Sequence, residues 1–147
     1  CEDGTVEVHS LKDGRLVGGT NVGGQPIQLV ITESLGFVVC STESSIIIMN
    51  IDGDEIRRCN ISTPMVSLFA FKDNSDIDYI CGEDRNGKLM VFEAMYPEKA
   101  EKVSLVSEIV FFTYNPLRKA FISVDKDANI IVSPYDLQTL GSYTHDI

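Results

Sequence analysis

A repeat constrains this chain more than any other feature. The segment Asp3-Gly4-Thr5-Val6-Glu7-Val8-His9-Ser10 aligns with Glu43-Ser44-Ser45-Ile46-Ile47-Ile48-Met49-Asn50. It aligns again with Asn86-Gly87-Lys88-Leu89-Met90-Val91-Phe92-Glu93 and with Asp127-Ala128-Asn129-Ile130-Ile131-Val132-Ser133-Pro134, at intervals of 40, 43 and 41 residues. Two further features keep step. Val38-Val39-Cys40-Ser41, Tyr79-Ile80-Cys81-Gly82 and Phe121-Ile122-Ser123-Val124 each precede the polar turn of a copy. Upstream lie Ile27-Gln28-Leu29-Val30-Ile31, Val66-Ser67-Leu68-Phe69-Ala70-Phe71 and Glu108-Ile109-Val110-Phe111-Phe112. Short segments rich in Val, Ile and Phe between Gly, Asn, Asp and Ser clusters read as β-strands, and no stretch shows a helical stripe. In the first complete copy the strands are predicted at about 27–32, 36–41, 45–51 and 55–61. Ile46, Ile47 and Ile48 are apolar in succession, as in a strand covered on both faces, so the sheets are predicted to stack face to face.

Four strands recurring every 40–45 residues mark the blade of a β-propeller. The predicted class is all-β, built from four-stranded antiparallel blades, about three and a half of them. Strands c and d of a first blade fall in 1–22, complete blades in 23–63, 64–105 and 106–143, and the start of another in 144–147. Over nearly the whole chain this pattern resembles the WD40 repeat, whose second and third strands join through an Asp-Gly-type turn. The Trp-Asp pair of that family is replaced by His9-Ser10, Met49-Asn50, Phe92-Glu93 and Ser133-Pro134, and no Gly-His pair opens a copy. The family's buried Asp-His-Ser-Trp network therefore cannot form, and apolar packing must hold the blades. His9, at the Trp position, is expected to be packed or interfacial. Pro134 lacks an amide donor and is expected to end its ladder. A narrower likeness lies in Val8-His9-Ser10-Leu11-Lys12-Asp13-Gly14-Arg15, Gly36-Phe37-Val38-Val39-Cys40-Ser41 and Asn50-Ile51-Asp52-Gly53-Asp54. These segments resemble the propeller that closes BEACH-domain proteins of the neurobeachin type.

Closed propellers typically need 4–8 blades, and the end blades of an open array leave apolar faces uncovered. The 147 residues are therefore expected to be an incomplete propeller, a piece of something larger. Closure then requires missing blades or self-association, two copies in principle completing a ring. The chain starts at Cys1 without a basic, apolar leader, so no signal peptide is expected. Membrane insertion is not expected either, because no apolar run approaches the roughly 18 residues of a spanning segment. Cys1, Cys40, Cys59 and Cys81 are read as free, structural thiols of a cytosolic protein; Cys40 and Cys81 end the second strand of successive copies, and Cys1 falls at the same phase. In that compartment the Asn60-Ile61-Ser62 sequon carries no meaning.

Chemical motifs fail one by one. Gly18-Gly19-Thr20-Asn21-Val22-Gly23-Gly24 is followed by Gln25-Pro26, not by the Lys and Ser/Thr of a phosphate loop. Asp125-Lys126-Asp127-Ala128-Asn129 opens like a calcium loop but has Ile130 where Gly must turn. Asp73-Asn74-Ser75-Asp76-Ile77-Asp78 reads as a solvated loop. Four cysteines without a Cys-x-x-Cys and two distant histidines, His9 and His145, give no zinc pattern. No nucleophile elbow occurs, so the chain is read as non-enzymatic, without metal or cofactor.

Charge supplies the site. Twelve Lys and Arg against 22 Asp and Glu leave a net charge of −10, which disfavours nucleic acid and anionic membranes. Acidic residues mark every predicted b–c turn: Glu2 and Asp3, then Glu43, then Glu83 and Asp84, then Asp125 and Asp127. Only Arg85 and Lys126 oppose them. In a propeller these turns gather at one end, so Asp3, Glu43, Glu83, Asp84, Asp125 and Asp127 are the candidate face for a basic peptide or a Lys/Arg-rich protein surface. The expected function is a protein–protein interaction scaffold. The BEACH likeness implies a large cytoplasmic parent, peripheral on membranes, acting in vesicle trafficking or membrane organisation. Other readings are an architectural subunit of a coat or pore-like assembly and a propeller lectin or hydrolase. The last lacks support from a chain without Trp.

Overall fold

The computed structural model describes residues 3–73, 75–103, 109–115, 117–118, 120–134 and 145–146. β1 (Thr5–His9) and β2 (Leu16–Asn21) form a two-stranded sheet. A four-stranded sheet follows in chain order: β3 (Gln28–Ile31), β4 (Val38–Ser41), β5 (Ser45–Met49) and β6 (Glu55–Asn60). The next holds β7 (Met65–Lys72), β8 (Asp78–Asp84), β9 (Leu89–Glu93) and β10 (Glu101–Val103), with a 3-10 turn at Pro97–Lys99. The last holds β11 (Ile109–Asn115), β12 (Ala120–Asp125), β13 (Ile130–Pro134) and β14 (His145–Asp146). Every pairing is antiparallel.

One boundary differs from the sequence reading. Of the segment 144–147, expected to open a further unit, the described residues pair with the last sheet, His145 opposite Val132 and Asp146 opposite Ile131. The edge of β13 would otherwise stay unpaired, and pairing satisfies its backbone groups. Pro134 ends β13 opposite Ala120, beyond the residues that meet β14.

Alternation along β5 explains its unbroken apolar run. Successive strand residues point to opposite faces. Ile46 and Ile48 join Val39, Met65, Leu68, Ile80, Phe92 and Ala94 between the second and third sheets. Ile47 and Met49 join Val6, Val22 and Cys40 between the first and second. The strand β8 divides likewise: Ile80 faces the second sheet, while Cys81 faces the last with Phe71, Leu89, Val91 and Phe121. In that layer Phe71 meets Phe121 edge-on, ring centres 5.2 Å apart.

Polar side chains fasten sheet to sheet. Asp78 is buried and accepts the amides of Ser34 and Leu35 from the preceding sheet, at 2.9 and 2.8 Å. The Gln28 side chain accepts from the Leu68 amide at 2.9 Å. Arg58 donates to the Val22 and Asn21 carbonyls, at 3.0 and 2.9 Å, while its ion pair with Glu55 fixes its pose. The first and second sheets meet backbone to backbone: a Cβ on Gly18 would lie 2.0 Å from the Asp52 carbonyl oxygen. Beside this contact the Thr20 hydroxyl donates to the Gly53 carbonyl at 2.6 Å.

The end faces of the stack are less uniformly apolar than expected. The outer side of β1 carries Glu7 and His9, both exposed. Leu29 and Ile31 of β3 are 47% and 66% exposed, because the two-stranded first sheet does not reach over them. At the far end Ile130 is exposed, with Ile122, Val124 and Val132 half-buried.

His9 is the side chain that departs furthest from expectation. Rather than packing, it stands exposed, Nε2 at 2.9 Å from the Glu7 carboxylate and Nδ1 at 3.2 Å from the Gly14 carbonyl. Its position on the outward-facing side of β1 explains this. The Glu7 contact first, and the Gly14 carbonyl second, raise its pKa above the ordinary 6.5. The pair therefore stabilises the fold below pH 6.5 and loses that contribution as pH rises through the raised value. An NMR titration is expected to place the His9 midpoint above 6.5 and to return it toward 6.5 in Glu7→Gln.

Cys40 and Cys81 are buried and Cys59 is half-buried, all three as free thiols; Cys1 lies outside the described residues. Burial pushes the Cys40 thiol up to about 11 and raises that of Cys81 as well. Because the thiolate is the reactive form, iodoacetamide at pH 8 is expected to alkylate Cys59 and spare Cys40 and Cys81, as read by peptide mass spectrometry.

Candidate functional site

In the four-stranded sheets the first and second strands (a and b), and the third and fourth (c and d), reverse at one end with the β1–β2 turn, while b–c turns and the d–a links between sheets lie at the other. The six candidate acids occupy this second end and divide by what holds them. Asp84 is only 8% exposed, and its Oδ1 accepts the amides of Asn86 and Lys88 at 2.8 and 2.9 Å. Asp125, 5% exposed, does the same for Asp127 and Asn129, and its Oδ2 accepts from the Asn129 side chain at 2.9 Å. Asp3 accepts the Thr5 amide at 2.9 Å, and that bond lowers its pKa. In the second sheet the Thr42 hydroxyl takes this role toward Ser44 and Ser45. These residues build the turns, since a short side chain that bonds the backbone two to four residues on stabilises a reversal. Asp84 and Asp125 are thus held by the turns they build.

Glu43 is exposed but not uncompensated. It forms an ion pair with Arg85, joining the b–c turns of the second and third sheets. Glu83 is half-buried; burial first, and the adjacent Asp84 second, raise its pKa. Asp127 is exposed at the tip of the last turn. Of the six, Asp3, Glu83 and Asp127 therefore remain open to a partner.

A groove that sequence reasoning missed opens at the turn held by Asp84. It has a volume of about 340 Å³ and lies between the second and third sheets, over a floor of Ile46, Met65, Met90 and Phe92. One wall is Cys59 to Thr63; Asp84, Asn86 and Lys88 form the other. Among the described residues no group of three or more His, Cys, Asp or Glu could hold a metal ion.

No family model and no curated protein matches the chain. Solved structures do. A crystal structure of BBS1N in complex with ARL6DN, soaked with lead, aligns with 99% of this chain at 11% identity and a TM-score of 0.65. Apo AztD from Citrobacter koseri aligns with 97% at 15% identity and a TM-score of 0.64. The fold is a β-propeller. The chain spans 46% of the length of the first matched chain and 43% of the second, and its four-stranded sheets are propeller blades.

Proposed function

We propose that this partial propeller is a non-catalytic protein-interaction scaffold whose b–c end receives a basic surface. One observation carries the reading: Asp3 and Asp127 are exposed and Glu83 is half-buried at that end, none of the three in an ion pair among the described residues, in a chain of net charge −10. A structurally similar propeller, BBS1N, was crystallised in complex with another protein, ARL6DN, which supports an interaction role. The WD40 and BEACH likenesses extend the proposal to a cytoplasmic parent protein acting in vesicle trafficking or membrane organisation. In that setting further blades, or a second copy, complete the ring.

Fluorescence anisotropy with an arginine-rich peptide tests the site. Steering between opposite charges weakens with salt. Glu83→Lys with Asp127→Lys is expected to weaken binding at least about tenfold at low salt and to flatten its salt dependence. Unchanged affinity and salt dependence in that variant would refute the assignment.

A further inference from the structure

The opposite end, formed by a–b and c–d turns, has a pattern of its own. Polar side chains already satisfy the backbone there. Ser10 and Asp13 hold the β1–β2 turn, Thr32 the β3–β4 turn, Asn50 the β5–β6 turn, Asp73 the β7–β8 turn and Asn115 the β11–β12 turn. Yet among the described residues each turn of this end also carries a large apolar residue open to solvent: Leu11, Leu35, Ile51, Ile77, Tyr96 and Leu117. Leu11 and Leu117 are 106% and 94% exposed. At the acidic end Val66 and Ile130 are exposed, both at strand starts, and no large apolar residue is exposed within a described turn or link. Single exposed leucines are ordinary; their recurrence in each described turn of one end, and in no described turn of the other, is not.

Three of these residues lie together. The Leu35 amide bonds Asp78, next in the chain to Ile77, and a Cβ on Gly36 would stand 3.2 Å from Ile51 Cγ2. Tyr96 is flanked by the cations of Arg57 and Lys99, at 5.2 and 4.9 Å. Glu33, Asp52 and Asp54 are exposed beside the three and form no ion pair among the described residues. Carboxylates around an apolar patch disfavour an anionic lipid surface and favour cations at the rim.

We infer that this end is a docking face, separate from the acidic end, for a protein partner that offers an apolar patch edged by Lys or Arg. The apolar turn residues supply the desolvated centre of the interface, and the neighbouring acids supply its rim.

Selection of a random dodecapeptide phage library against the full chain tests this. The expected peptides combine aliphatic or aromatic residues with Lys or Arg. They are expected to lose affinity at least about tenfold toward the Leu35→Ser, Ile51→Ser, Ile77→Ser variant, and to keep it toward Glu83→Lys with Asp127→Lys. Leu35→Ser and Ile77→Ser alone, which change exposed positions and should leave the melting temperature nearly unchanged, are each expected to weaken binding about threefold or more. Equal binding to parent and variants would overturn the inference while leaving the acidic-end assignment intact. So would sedimentation of the chain with phosphatidylcholine–phosphatidylserine vesicles that the triple variant abolishes, which would make the face a membrane contact.

Discussion

Ile47→Ala and Ile48→Ala are each expected to cost about 2–5 kcal/mol of unfolding free energy, the range for deleting a fully buried aliphatic side chain. Both residues are 0% exposed, although they are neighbours in one strand. In a sheet with one wet face, one of two adjacent residues would be cheap to truncate. Here Ile47 enters the layer shared with Val6, Val22 and Cys40, and Ile48 the layer shared with Leu68, Ile80 and Phe92. Urea denaturation of the two variants gives the comparison, with midpoints falling together.

Gly18→Val is expected to cost about 3 kcal/mol, at the top of the range for overpacking. The new Cβ would lie 2.0 Å from the Asp52 carbonyl oxygen, so one sheet must shift against the other. Asp52 cannot yield cheaply: Asn50 accepts the amides of Asp52 and Asp54, both at 2.9 Å, and fixes that turn. At about 2–4 °C per kcal/mol for a chain of this size, the melting temperature should fall by roughly 10 °C. Gly14→Ala separates crowding from backbone strain. Gly14 also has a positive φ, of 71°, but nothing lies within 4 Å of its added Cβ, so this change should cost only about 1–2 kcal/mol.

The residues that make each blade were legible because their information is local. The run Ile46, Ile47, Ile48 announces two-faced burial, and the copies at about forty-residue intervals announce repeated four-strand units. Strand ends ran one or two residues long: Thr32 already turns the chain, its hydroxyl accepting the Phe37 amide at 2.9 Å. Asp84 and Asp125 were legible as acids at a turn, but not as acids used up by it. The sequence Asp84-Arg85-Asn86-Gly87 carries the Asx-turn signal that distinguishes the two roles. Contacts between blades were beyond reach. Arg58 with Val22, Asp78 with Leu35 and Glu43 with Arg85 join residues about forty positions apart, and their partners follow from how the sheets stack. The apolar turn residues were visible singly; only the topology gathers them at one end.

The central claim is that neighbouring residues of one strand belong to different inter-blade layers. Double-mutant cycles measure this most directly. Residues that share a layer couple by about 0.5–3 kcal/mol, whereas residues in separate layers add nearly independently. Ile48 and Phe92 share a layer; Ile47 and Phe92 do not. Truncation of Ile48 with Phe92 is therefore predicted to show a coupling of about 1 kcal/mol or more, and truncation of Ile47 with Phe92 a coupling within about 0.5 kcal/mol of zero. Equal couplings, or the reverse order, would contradict the stacked-blade architecture.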